Sequence, residues 1–195
     1  MTVDYGPRSA LVVVDTQNDF ADPDGSLYVR DSAAAIVAMN EAIAAAKEAG
    51  CRVVYTQDWH PPSTPHFAKD GGKWPVHCVA GTWGAELHPD LVVDGERVRK
   101  GSGGEDGYSG FTMLHPTSGE TYATELHDLL QAHDVERVVV VGLATDYCVK
   151  ETALDAVRLG YETLVLVDGV RPVELEPGDG RKAVDAMTSA GVTLG

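Results

Sequence analysis

Basic residues, cysteines and long apolar runs are all scarce in this chain, and each shortage removes a class of protein. Fifteen lysines and arginines stand against 30 aspartates and glutamates, giving a formal charge of −15. Nucleic acid and anionic membrane both call for a positive face, so neither is an expected partner. The acidic surplus reads as a solubility feature. No apolar run approaches the roughly 20 residues of a membrane span. The opening MTVDYGPRSALVVVD lacks the basic head and small-residue cleavage site of a signal peptide. Three cysteines (Cys51, Cys78 and Cys148) are an odd, scattered count that builds no disulfide framework, and a reducing cytoplasm fits best. Repeats, linkers and low-complexity tracts are also missing. What remains is 195 residues of ordinary make-up, 44% apolar and 23% charged, enough for one domain with a substantial core.

What is present is a series of short apolar runs alternating with helical patterns. Ala10–Val14, Cys51–Thr56, Val138–Val141 and Glu162–Val167 read as strands of a parallel sheet. Arg97–Lys100 and Val192–Leu194 read as shorter ones. Asp31 is placed to cap a helix with Ile36, Met39, Ile43 and Ala46 on one face, ended by Gly50. Further helices are expected around Tyr122–His133, from about Asp146 to Leu159, and over Gly178–Ala190. This alternation predicts an α/β fold with a parallel sheet. Between Gln57 and about Glu96 lies a long irregular stretch with four histidines and three tryptophans. Loops of that length in a compact domain are commonly functional.

In open parallel sheets, ligands bind beyond the carboxyl ends of the strands. Asp15, Asp58, Lys100 and Cys148 each fall at or just past such an end. Singly, Asp15 can cap a turn, Lys100 can be a solvated lysine and Cys148 can be an inert core thiol. Together they supply an acid, a base and a nucleophile on one rim. Cys148 is expected in the first turn of a helix, where the dipole favours a thiolate and backbone N–H groups can hold an oxyanion. Asp15 can take the thiol proton and later return it to a leaving amine, with Lys100 steadying both anions.

A second constellation lies in the long loop. Asp58 and His60, two residues apart at an extended strand end, can point the same way; His66 and His77 follow. A carboxylate with imidazoles suits zinc, iron(II) or manganese. The competing explanation is a proline-rich loop whose histidines only hydrogen-bond. Cys78 reads as a buried structural thiol. His88, His115, His127 and His133 read as surface or capping residues.

The segments DTQNDF, QDWHPP, WPVHCVAGTWGAELHP, RKGSGGEDGYSGF and VGLATDYCVKETALDAV together resemble the nicotinamidases, within the isochorismatase-like cysteine hydrolases. The resemblance implies a single Rossmann-like three-layer domain over residues 1–195, with a mainly parallel six-stranded sheet flanked by helices. It also implies a small-molecule partner, nicotinamide, hydrolysed to nicotinate and ammonia in NAD salvage, with pyrazinamide as an accepted analogue. Under it Cys148 is the nucleophile, Asp15 the base and then acid, and Lys100 the third catalytic residue. Backbone N–H groups of Ala144 and Cys148 form the oxyanion hole, and Leu143–Ala144 is a cis peptide. Asp58, His60 and His77 ligate one divalent metal ion, while relatives differ on the position of His66. Phe20 and Trp74 match positions that sandwich the substrate ring, Leu143 adjoins them, and Tyr108 matches a position near the pocket. A homo-oligomer is left open.

Other classes fit fewer of these residues. A receiver-like signalling domain needs neither Cys148 nor the histidine loop, and a metal-binding module without catalysis needs neither Asp15 nor Lys100. Isochorismate hydrolases lack the cysteine. An amidase for another small amide is the nearest alternative, and a metal-free one has no use for the Asp58–His60 pair and His77.

Overall fold

Valine-rich segments that are buried on both sides have to pair with one another, and here they do so in parallel. The computed structural model describes residue 3 and residues 5–195. Strands β1 (Ser9–Val14), β2 (Arg52–Asp58) and β3 (Glu96–Lys100) come first, then a small hairpin of β4 (Thr112–Leu114) and β5 (Thr121–Ala123). Strands β6 (Arg137–Leu143), β7 (Glu162–Arg171) and β8 (Thr193–Leu194) complete the set. The main sheet has six strands in the order β3-β2-β1-β6-β7-β8, with every pairing parallel. The order reverses between β1 and β6, so the switch point, where such sheets bind ligands, falls between Asp15 and Cys148.

The helices are α1 (Asn18–Ala21), α2 (Ser32–Glu48), α3 (Leu126–Gln131), α4 (Lys150–Arg158) and α5 (Asp179–Ser189). One face of the sheet, with Leu11, Val13, Val53 and Val139, packs on Ile36, Met39 and Ile43 of α2. The other, with Val12, Val54, Val138 and Val140, packs on Leu126 and Leu130 of α3, Ala153 of α4 and Met187 of α5. Two-residue alternation along each strand feeds both cores, which gives the three layers. No helix among the described residues is long and apolar enough to cross a membrane.

Several local expectations need correction. Residues 121–123 pair with β4 as a strand, so the helix expected around Tyr122–His133 is confined to α3. Asp31 precedes α2 but makes no side-chain capping bond, because its backbone is left-handed (φ 62°). Strand β7 runs on to Arg171, four residues beyond the Val167 end expected for it. Thr145–Val149, expected as the opening α-helical turn, is a π-helical turn that leads into α4.

The close approach of β1 and β6 depends on Gly142. It pairs with Val14 and has φ 121°, and a Cβ there would sit 2.1 Å from the Val14 carbonyl oxygen. Gly142→Ala must therefore part the two central strands or distort them. We expect a loss of at least about 3 kcal/mol of stability, measured by urea denaturation against wild type.

Candidate active site

Strand ends place the reactive side chains. Asp15 follows β1 with a positive φ of 44°. Its backbone N–H donates to the carbonyl of Thr56 on β2, and its Oδ1 accepts from the Thr56 hydroxyl at 2.7 Å. Asp58 ends β2; its N–H donates to Oε1 of Gln17 (2.8 Å), and its carbonyl accepts from Nε2 of the same amide (2.7 Å). Lys100 ends β3. Cys148 sits on the π-helical turn after β6, a bulged geometry common at functional sites. Asp146 on that turn accepts from the N–H groups of Val173 and Glu174 (2.8 and 2.9 Å), tying it to the chain beyond β7. The peptide bond Leu143–Ala144, just before the turn, is cis.

The four groups converge. Lys100 Nζ lies 2.7 Å from Asp15 Oδ2, 2.5 Å from Asp58 Oδ1 and 3.9 Å from Cys148 Sγ, and it also donates to the Gly107 carbonyl. Lys100 and Asp15 have no solvent exposure, and Asp15, Asp58 and Cys148 offer donor atoms within 4.8 Å of one another. Burial works against the Lys100 charge, but the two carboxylates outweigh it and hold the pKa well above the usual lysine value. Burial, incompletely offset by Lys100, lifts Asp15 to about 6. Asp58 is held below the ordinary carboxylate range: burial pushes it up, but Lys100, His60 and His77 prevail. Cys148 departs from the helix-dipole expectation, since burial raises its pKa well above that of a free thiol despite Lys100. The resting side chain is a thiol, and a base must take its proton. Asp15 is the carboxylate poised for that exchange near neutral pH.

Asp58 turns its other oxygen toward the histidines, 3.7 Å from His60 Nε2 and 3.9 Å from His77 Nε2. His60, His66 and His77 offer ring nitrogens within 4.8 Å of one another, and all three are buried. His77 Nδ1 donates to the Pro75 carbonyl (2.8 Å), leaving Nε2 its lone pair. Burial lowers His77 to about 4, so its ring is neutral at pH 7 and Nε2 is free to accept a cation. His60 decides whether a metal fits. It is fully buried and, among the described residues, neither ring nitrogen has a hydrogen-bond partner, an arrangement that costs free energy unless a cation takes up a lone pair. The donor set fits a divalent ion of the zinc type.

Beside these groups opens a cleft of about 470 Å³, counted out to its mouth. Phe20, Trp74, Tyr108 and Leu143, named from the sequence, line it with Ala144 and Cys148. Trp74 Nε1 donates to the Tyr108 hydroxyl at 2.7 Å, and burial raises the Tyr108 pKa to about 12. Sequence reasoning missed Leu27, Tyr147 and Val173 in the same wall. Tyr147 adjoins Cys148 in the sequence, which was a usable signal; Leu27 and Val173 carried none. It also missed Lys73, whose ammonium lies 4.6 and 5.1 Å from the Trp74 and Tyr147 ring centroids and donates to the Tyr147 hydroxyl. His115 serves a turn as expected, accepting from the N–H groups of Thr117 and Ser118. His88 is buried and also caps a turn, its Nδ1 accepting from the Asp90 N–H (3.2 Å), while His127 bonds the Tyr161 hydroxyl and is not simply a surface residue.

A doubly wound parallel sheet that gathers a thiol, an acid and a buried ammonium at its switch point is the framework of a cysteine-dependent α/β hydrolase. A family model described as the isochorismatase domain matches residues 9–194, and the chain belongs to that family. It is 37% identical to a nicotinamidase of Escherichia coli (strain K12), over 96% of this chain and 94% of that protein. The crystal structure of the pyrazinamidase of Pyrococcus horikoshii in complex with zinc superposes with a TM-score of 0.85 at 39% identity, covering 97% of this chain and 99% of that one. A protein from L. infantum in complex with nicotinate gives a TM-score of 0.89 at 34% identity, over 100% of this chain and 96% of that one.

Removing the central cation has a definite expected cost. Lys100→Met leaves Asp15 and Asp58 buried together without a counter-charge. We expect about 3–5 kcal/mol less stability at pH 7, read from denaturant midpoints.

Proposed function

We propose that the protein is a metal-dependent nicotinamidase that hydrolyses nicotinamide to nicotinate and ammonia, with pyrazinamide as a second substrate. The observation that carries this reading is the position of Cys148. It lies in the floor of an aromatic cleft, within reach of Asp15 and Lys100, beside three buried histidines. We place the chain, as one domain, in the cytoplasm, at the deamidation step of NAD salvage.

In this scheme Phe20 and Trp74 hold the pyridine ring between them, with Tyr108 and Leu143 at its edge. Asp58, His60, His66 and His77 would hold one divalent ion (zinc, iron or manganese), whose contribution is Lewis acidity toward the ring nitrogen. Asp15 takes the thiol proton as Sγ bonds to the carboxamide carbon, and the carbonyl electron pair moves onto oxygen. Backbone N–H groups of Ala144 and Cys148 receive that oxyanion. As it collapses, Asp15 returns the proton to the departing nitrogen, ammonia leaves and a thioester remains. Water, deprotonated by Asp15, then attacks the thioester carbon, and Cys148 leaves reprotonated with nicotinate as product. Lys100 keeps both carboxylates oriented and offsets the charge that builds on sulfur.

Ammonia release from nicotinamide tests the reading directly. Wild type loaded with zinc should release ammonia, while Cys148→Ala should fall by at least about 10³-fold and still bind nicotinate. Substantial turnover by Cys148→Ala would remove the thioester route. The pH profile follows from Asp15. Its carboxyl is raised to about 6, so it is protonated and idle below that value and ionised above it. kcat/KM should therefore rise with pH through an apparent pKa near 6 and then level off; a flat profile between pH 5 and 7 would exclude Asp15 as the base.

A further inference from the structure

We propose that Asp106, on the loop between β3 and β4 and bridged to β4, is the residue that fixes His66 as a metal ligand. The inference rests on the metal-dependent reading above and concerns a side chain outside the ligand set. Asp106 Oδ1 lies 2.5 Å from His66 Nδ1. With Nδ1 donating to a carboxylate, the lone pair available to a metal is on Nε2, and the bond also fixes the rotation of the ring. Carboxylates that grip a ligating histidine from behind raise its basicity and hold its orientation. His66 needs such a grip. Its ring stacks face to face on His60 at 4.7 Å and 20°, and stacking alone leaves an imidazole free to turn in its own plane.

Asp106 is in turn held from two directions. Its backbone N–H donates to the Leu114 carbonyl (2.7 Å) and its carbonyl accepts from the Leu114 N–H (2.8 Å), a bridge that locks it to β4. On the other side the Thr64 hydroxyl donates to the Gly104 carbonyl at 2.7 Å and accepts from the His66 N–H at 3.2 Å. Thr64 thus pins the loop carrying Asp106 to the segment carrying His66, although the two residues are 40 positions apart. The hairpin adds little to the core, and every residue of β5 is exposed. Its grip on Asp106 gives this otherwise peripheral element a task.

Zinc affinity measured by competition with a chromophoric chelator tests the assignment without using activity. The set is wild type, Asp106→Ala, the isosteric Asp106→Asn, His66→Ala and the Asp106→Ala/His66→Ala double variant, each checked for an unchanged thermal unfolding transition. Asp106→Ala should weaken zinc binding by about 10- to 100-fold, and Asp106→Asn by less. His66→Ala should weaken it at least as much as Asp106→Ala, and the double variant should match His66→Ala, because Asp106 acts only through that ring. Binding by both Asp106 variants within twofold of wild type would overturn the inference and leave the metal reading intact. Further weakening by Asp106→Ala in the His66→Ala background would also overturn it. Failure of wild type to take up zinc would overturn both.

Discussion

The Lys100 ammonium, stripped of water and enclosed by Asp15, Asp58 and the Gly107 carbonyl, is the constraint that everything around the site must satisfy. A buried charge of this kind is tolerated only when its partners are close and well oriented, and each partner comes from a different part of the chain. Asp15 is delivered by β1, Asp58 by β2, the ammonium by β3 and the carbonyl by the loop beyond it. The parallel sheet brings these ends to one rim. Gln17 and Thr56 then set the two carboxylates by hydrogen bonds to their backbones and side chains. Fold stability and site geometry are for this reason hard to separate here.

Asp58 links the two halves of the site. One carboxylate oxygen meets Lys100 and the other faces His60 and His77. A pocket floor that places a thiol next to this shared carboxylate couples the charge state of the ammonium cluster to that of the histidine cluster. The long segment from residue 59 to 95 contributes no strand to the main sheet. It is nevertheless well anchored, through Gln17 to the Ala85 carbonyl and Asn18 to the Trp83 carbonyl. Its irregularity is what allows His60, His66, His77 and Trp74 to face inward together.

Much of this arrangement was legible in the residues. Continuous apolar runs such as ALVVV and VVVV permit little besides buried strands, and the helix-length spacing between them forces parallel pairing. Once that is granted, residues at strand ends must meet, which is why Asp15, Asp58, Lys100 and Cys148 could be grouped from positions scattered over 134 residues. Other features were hidden for physical reasons. Residues 121–123 have no partner visible in the sequence, and only pairing with β4 across a turn makes them a strand rather than the start of a helix. The pKa of Cys148 is set by how completely the fold buries it, so a local argument from the helix dipole pointed the wrong way. Asp106 is one of two adjacent acids in a glycine-rich loop, and its contact with His66 exists only in three dimensions.

The groups we propose to carry the reaction and the walls of the cleft have different origins. Asp15, Asp58 and Lys100 sit at or just past the ends of sheet strands, and Cys148 on a turn that follows one, whereas Trp74, Tyr108 and Leu27 come from connecting segments. This is a division of labour between a fixed bench and exchangeable tooling. Connecting segments can lengthen, shorten or change residues without moving the strand ends, so the molecules admitted can be revised while the bond-breaking apparatus stays in register. A scaffold divided in this way is suited to trying out new small amides one loop at a time.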